Sequence, residues 1–284
     1  MANRPPGPGH AAGAFRILLA HSPKTDDEFP WWLVILVVIG GALFWQVLSS
    51  EVYAAALRAL SKGIWITIGV AVVAYGGACV MGLGLAVMGM SRFVILRQAA
   101  RLYIEIMRGI PIIVLLLYVA FVLAPAMVMF VNWLGEPLGI GPLRTRDVPL
   151  LTRAVLALML AYSAFLAEVF RAGLQAVDTG QIEAAQSLGL SGWQRFRHIL
   201  FPQAFRTVLP PLGNDFVAMV KDSSLVAVLG VGDVAQLAKV TSVANFRYFE
   251  TYNVAALIYL TMTISLSLVL RRLEVRLRAR QEGR

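Results

Sequence analysis

Glu183-Ala184-Ala185, then Gly189 six residues after the glutamate, then Ile199 and Pro202: this stretch decides how the rest of the chain is read. It lies in a polar segment of about forty residues, flanked on both sides by apolar runs long enough to cross a bilayer. The segment carries its own helical grammar. Asp178 followed three residues later by Gln181 has the pattern of a helix start, and 181–188 is made of helix formers. Gly189 suits a left-handed C-terminal cap. Ser191 and Gln194 form a second capping-box pattern, opening a helix through about residue 200, which Pro202 is expected to end. Ala184 and Ala185 are small enough to let another protein approach the first helix closely. A plain amphipathic loop helix is the competing reading of the same residues.

Composition sets the surroundings. Of 284 residues 58% are hydrophobic and only 14% charged. No soluble domain of this size needs so much apolar surface, so the chain reads as a polytopic membrane protein. A net charge of +9 in such a chain reflects basic loops on one side of a membrane, and nucleic-acid binding, which needs a basic face on a soluble fold, is set aside. The lone Cys79 sits in an apolar run, which excludes a disulfide framework or a cysteine metal cluster. His10 and His21 fall in the N-terminal tail. The methionines at 81, 88, 90, 127 and 129 are lipid-facing or packing residues.

Working outward, residues 1–30 hold Pro5-Pro6 and Asp26-Asp27-Glu28 and read as a loose tail. Trp31-Trp32 open a first span, 31–49, with the tryptophans at a membrane interface. The polar segment before it is long and ends in acids, unlike a signal peptide. Further spans are expected at 63–90, rich in glycines that permit close packing in lipid, at 102–124, stopped by Pro125, at 149–170, at 210–230, started by Pro210-Pro211, and at 253–270. The piece 126–134 is too short to cross and is expected along the surface. With both termini on the cytoplasmic side, sixteen Lys and Arg fall inside and seven outside, while Arg108 and Lys221 lie within spans. The positive-inside rule therefore puts the loop after the fourth span in the cytoplasm.

With the segment placed there, its spacing resembles the EAA loop by which the membrane permeases of ATP-binding-cassette (ABC) importers grip their ATPases, with Phe201 where that family usually has Leu. Arg108-Gly109-Ile110-Pro111, Ala161-Tyr162, Ala167-Glu168 with Arg171-Ala172-Gly173, Gly180-Gln181, Leu209-Pro210-Pro211-Leu212-Gly213-Asn214-Asp215 and Lys221-Asp222-Ser223-Ser224-Leu225 are similar to the polar amino-acid branch (histidine, glutamine, glutamate, arginine). That branch usually has Thr at the position of Ser223. The resemblance implies an all-α integral membrane protein of the type I (MetI-like) fold. About six spans are expected, one N-terminal addition at 31–49 plus a five-helix permease core within 60–272, with a helix–Gly–helix coupling loop at 178–207 and a basic cytoplasmic tail at 273–284.

It also implies the machine. Glu183, Ala184, Ala185, Gly189, Ile199 and Pro202 would couple to two ATPase subunits, a second permease copy or homologue would complete the pathway, and an extracytoplasmic binding protein would deliver substrate across the bacterial inner membrane. The chain lacks a Gly-x4-Gly-Lys-Ser/Thr phosphate loop, so ATP and Mg2+ are expected in the partner, with no cofactor, metal or catalytic residue in this chain.

Ionisable groups at membrane depth are functional candidates. Glu105 with Arg108, and Glu168 with Arg171, are each three apart and can share a helix face; they read as gate or structural charges, and a local ion pair fixing a helix end is the simplest form of that. Asn214, Ala218 and Lys221 lie on one stripe, Asp215 and Asp222 on its neighbour, with Ser223 beside them. A zwitterionic amino acid suits a site with a cation for its carboxylate (Lys221) and an acid for its amine (Asp215 or Asp222). Pairing of Lys221 with Asp222 or with other spans is the competing reading. Two further functions stay open: a permease for an opine, small peptide or other polar solute, and an ion-coupled secondary transporter or channel. The latter often shows inverted repeats, and no second copy of the Gly189 loop or the 214–222 stripe is found.

Overall fold

A computed structural model describes residues 31–139 and 141–282, and every regular element among them is helical. The tail expected at 1–30 lies outside the described residues. The chain divides into two units, Met1–Phe44 and Trp45–Arg284. The described part of the first belongs to α1 (Trp31–Ser49), apolar along its whole length.

In the second unit α2 (Glu51–Ser61) passes through Lys62-Gly63 into α3 (Ile64–Gly89). Then follow α4 (Val94–Gly109), α5 (Ile112–Tyr118), a π turn (Val119–Leu123), α6 (Ala124–Gly135), α7 (Leu150–Gln175), α8 (Thr179–Ser187), α9 (Gly192–Arg195), a second π turn (Phe196–Leu200), α10 (Phe201–Asp222), a 3-10 stretch (Ser223–Leu229), α11 (Val234–Asn245) and α12 (Tyr248–Glu282). Among the described residues four helical stretches are long and apolar enough to cross a membrane: Glu51–Gly89, Ile112–Gly135, Leu150–Gln175 and Tyr248–Arg276. α10 is not among them because it carries Arg206, Asp215, Lys221 and Asp222.

The core is the α3–α7 pair, closed by α5, the first π turn and α10. Ala71, Ala74, Ala78, Ala154, Ala157 and Ala161 are buried between them. A Cβ on Gly82 would lie 3.0 Å from both Leu166 Cβ and Ser163 O and 3.1 Å from Ala167 N. Lipid supplies no hydrophobic drive between spans, so close approach through small residues is what holds them. The helix wall continues where Val208 of α10 fills the space left by Gly173 of α7.

Four expectations change. The third span is 112–135, not 102–124: residues 94–109 are an amphipathic helix holding Arg97, Arg101, Glu105 and Arg108, and Ile110, pushed into an extended conformation before Pro111, breaks the rod. Pro125 does not stop the span, and 126–134 continues it rather than lying along the surface. At the pitch of a π turn an N–H at Pro125 would serve Ala120 O; Pro125 has none, and Arg153 Nη1 donates to that carbonyl at 2.9 Å instead. Pro202, Pro210 and Pro211 likewise sit inside one helical rod from Gly192 to Asp222, Pro202 directly after the second π turn. Between the expected spans at 210–230 and 253–270 stands α11. The buried Asp233 carboxylate caps it, accepting from Ala235 N and Gln236 N, while Tyr259 Oη donates to it from α12 and Val234 N donates to Thr67 Oγ1. At 35 residues α12 runs about 52 Å, well past the 253–270 expected.

Candidate functional site

The loop that opened the sequence analysis is built by local rules. Asp178 caps α8, its carboxylate accepting from Gly180 N at 2.7 Å. Gly189 ends the helix at φ +74°. Gly189 N donates to Gln186 O at 3.0 Å and Leu190 N to Ala185 O at 3.1 Å, the paired bonds of a Schellman cap. Ser191 Oγ accepts from Gln194 N at 3.3 Å and Gln194 Oε1 accepts from Ser191 N at 2.8 Å, a complete capping box. Two cross-links then fix the helices to each other: Arg195 Nη1 donates to Gln186 Oε1 at 2.9 Å, and Gln203 Nε2 to Gln181 Oε1 at 2.6 Å.

Of the motif residues, Glu183 and Ala184 are exposed and Ala185 is buried. The alanine pair thus presents one methyl outward and packs the other inward. Leu188 is 81% exposed at the turn. Ile199 is half-buried in the π turn, and Pro202 lies just beyond it.

The charges at the ends of α4 and α7 meet in a cleft of about 450 Å³ lined by Arg101, Glu105, Glu168, Arg171 and Gln175. Glu168 and Arg171 form an ion pair, and Arg171 Nη1 also donates to Gln175 Oε1 at 3.3 Å. Glu105 and Arg108 do not pair, contrary to the simplest expectation. Arg108 lies instead over the Phe165 ring, 5.9 Å from its centroid.

Along α10 the two polar stripes part. Asn214 and Lys221 are exposed; Asp215 and Asp222 are half-buried. Lys221 forms no ion pair among the described residues. Asp222 Oδ2 accepts from Tyr162 Oη at 2.7 Å, and buried Ser223 donates to Val220 O at 2.7 Å where the helix tightens to 3-10 pitch. Tyr75 donates to Leu212 O at 2.6 Å and packs on Phe216. The pairing of Lys221 with Asp222 is therefore replaced by Tyr162–Asp222. Within one chain the cation and the acids face directions about 100° apart.

Sequence reasoning missed two partners. Tyr162, part of the Ala161-Tyr162 motif, is the donor to Asp222; nothing local in sequence links residues sixty apart. Arg153, one of the seven Lys and Arg that the charge count puts outside, is buried and donates to Val148 O, Ala120 O and Thr145 O.

Comparison with known proteins matches these features to a family. The family described as binding-protein-dependent transport system inner membrane component matches residues 78–280. The probable amino-acid permease protein YxeN of Bacillus subtilis is 34% identical over 224 residues, which is 79% of this chain and 93% of that protein. The glutamine transport system permease protein GlnP of Escherichia coli is 33% identical over 226 residues, 78% of this chain and 94% of that one. A crystal structure of an amino acid ABC transporter with histidines superposes with a TM-score of 0.65 at 35% identity, covering 77% of this chain and 94% of the other. The matched region holds the whole loop, the charged cleft and α10. The chain belongs to the binding-protein-dependent transport system inner membrane component family, as a type I membrane permease subunit of an ABC transporter.

Proposed function

We propose that this chain is the pathway-forming permease of an ATP-driven importer of polar amino acids. The observation that carries this reading is the exposed α8–Gly189–α9 loop: it is held by its own caps and cross-links, and it presents the side chains of Glu183, Ala184 and Leu188 exposed. Such an exposed knob is what a motor subunit needs to grip. The relatives named for amino acids and glutamine supply the cargo class.

In this reading both termini and the loop are cytoplasmic. Two ATPase subunits bind ATP and Mg2+ and hydrolyse ATP; a binding protein delivers substrate from the other side of the inner membrane. ATPase closure carries α8, and the rod from Gly192 to Asp222 transmits that movement to the pathway. The ATPase shifts the inward-open and outward-open populations only by gripping them differently. Asn214 and Lys221 lie exposed on a helix at membrane depth, where polar groups must face protein or water. A second permease copy or homologue supplies that face, with Lys221 receiving the substrate carboxylate and Asp215 its amine. Asp222, engaged by Tyr162, has a positioning part.

Co-purification tests the coupling. Gly189→Asp should sharply lower recovery of the ATPase with the permease, while the spans stay folded. Wild-type recovery with this variant would count heavily against the loop as the docking element.

A further inference from the structure

From Leu190 to Leu209 the chain holds Arg195, Arg197, His198 and Arg206 and no acidic residue. Four aromatic rings run through the same segment in one file. Trp193 and Phe196 have centroids 5.7 Å apart, Phe196 and Phe201 5.9 Å, Phe201 and Phe205 5.8 Å. The step from Phe196 to Phe201 is five residues, which in an unbroken α-helix would turn the second ring about 140° away. The π turn Phe196–Leu200 takes up the extra residue and keeps the file straight. Beside the rings on the same rod Ala204 and Val208 are buried, with Val208 against Gly173 near the end of the membrane-crossing helix α7. The rings are not; they are 66%, 40%, 51% and 44% exposed in chain order. Arg197 and Arg206 are exposed as well.

We propose that this aromatic ridge lies in the headgroup boundary of the bilayer leaflet beside the coupling loop, and that Arg197 and Arg206 take anionic lipid headgroups there. Two observations choose lipid over protein as the occupant. The ridge is continuous with α10, whose far end, Asp222, is tied to the membrane-crossing helix α7 through Tyr162. Its composition, large apolar rings flanked by cations with no acid, is that of an interfacial membrane surface. In the importer reading the exposed surface offered to the ATPase is Glu183, Ala184 and Leu188, before the Gly189 turn, whereas Ile199 and Pro202 of the coupling motif are half-buried in the rod. A helix pinned at the boundary gives the rod a fulcrum, so that movement of α8 tilts α10 instead of sliding it. The proposal rests on the importer reading for the side of the membrane and for the ATPase, and its test separates the two.

The single cysteine makes the test direct. In a Cys79→Ser background, nitroxide labels are placed at Phe201→Cys or Leu188→Cys. The permease is put in nanodiscs of equal phosphatidylcholine and phosphatidylglycerol, with and without its ATPase. The label at 201 should collide with oxygen and be shielded from a water-soluble nickel chelate in both states. The label at 188 should meet the chelate until the ATPase binds. Free access of the chelate to 201 without the ATPase overturns the ridge proposal, and protection of 201 only by the ATPase assigns the ridge to that partner. A label at 188 indifferent to the ATPase would instead contradict the importer reading, whatever 201 reports. Trp193→Cys reads the other end of the ridge should Phe201→Cys misfold. Arg197→Ala and Arg206→Ala should each reduce the preference for spin-labelled phosphatidylglycerol over phosphatidylcholine about fivefold; an unchanged preference in the double variant overturns the headgroup assignment.

Discussion

Between α3 and α7 the chain buries alanines and a glycine so tightly that a methyl on Gly82 would sit 3.0 Å from its neighbours. From the end of α7 into the start of α10 it does the reverse, exposing Leu188, Trp193 and Phe201 on a segment cross-linked by Arg195 to Gln186 and by Gln203 to Gln181. The first surface has its complement within the chain. The second is preorganised by caps and cross-links and has its complement outside. The difference teaches where to look for function in such a protein: the packed pair sets the frame, and the capped segment with exposed surface is where force enters.

Substitutions can break that contrast or sharpen it. The largest effect belongs to the packed pair. Gly82→Leu should cost about 3 kcal/mol or more, since both contacting atoms of highest concern are backbone or Cβ; thermal unfolding of purified permease should show it, while Gly84→Leu, with open space around it, leaves the transition near wild type. Tyr162→Phe removes the donor to a half-buried carboxylate and should cost about 2 kcal/mol, read as a lower unfolding temperature together with reduced uptake. Gly189→Val forces a β-branched residue to φ +74° at a cost of about 1–2 kcal/mol, confined to the loop: ATPase binding should weaken about tenfold, with the thermal transition of the spans unmoved. Asp215→Ala should impair uptake and leave ATPase assembly intact; normal uptake would remove Asp215 from the substrate path. Smallest is Ser191→Ala, about 1 kcal/mol of cap, seen as faster amide exchange at Gln194. An equal fall in span stability for the loop and the core variants would dissolve the distinction.

The same contrast explains what could be read from the sequence. The loop was legible because its signals act over three to six residues: Asp178, Gly189 and the Ser191–Gln194 box each stand where their side chains or φ angles are used. The long apolar runs were legible as membrane-crossing because length and composition alone decide them. The position of the third span was not, since Pro125 normally ends a helix and only the π turn and Arg153, arriving from α7, make it tolerable. Nor was the fate of Asp222, which depends on a tyrosine sixty residues away. α11 gives no span signal, because its twelve residues are too few to cross, although Asp233 and Gln236 carry a cap pattern.

The central claim is tested most directly by uptake of labelled glutamate, glutamine, histidine and arginine in cells holding the complete system, with and without this chain, depleting ATP and the proton gradient separately. The account predicts that deletion abolishes uptake of at least one of these and that the uptake follows ATP and not the gradient. Uptake that survives ATP depletion and follows the gradient would contradict it.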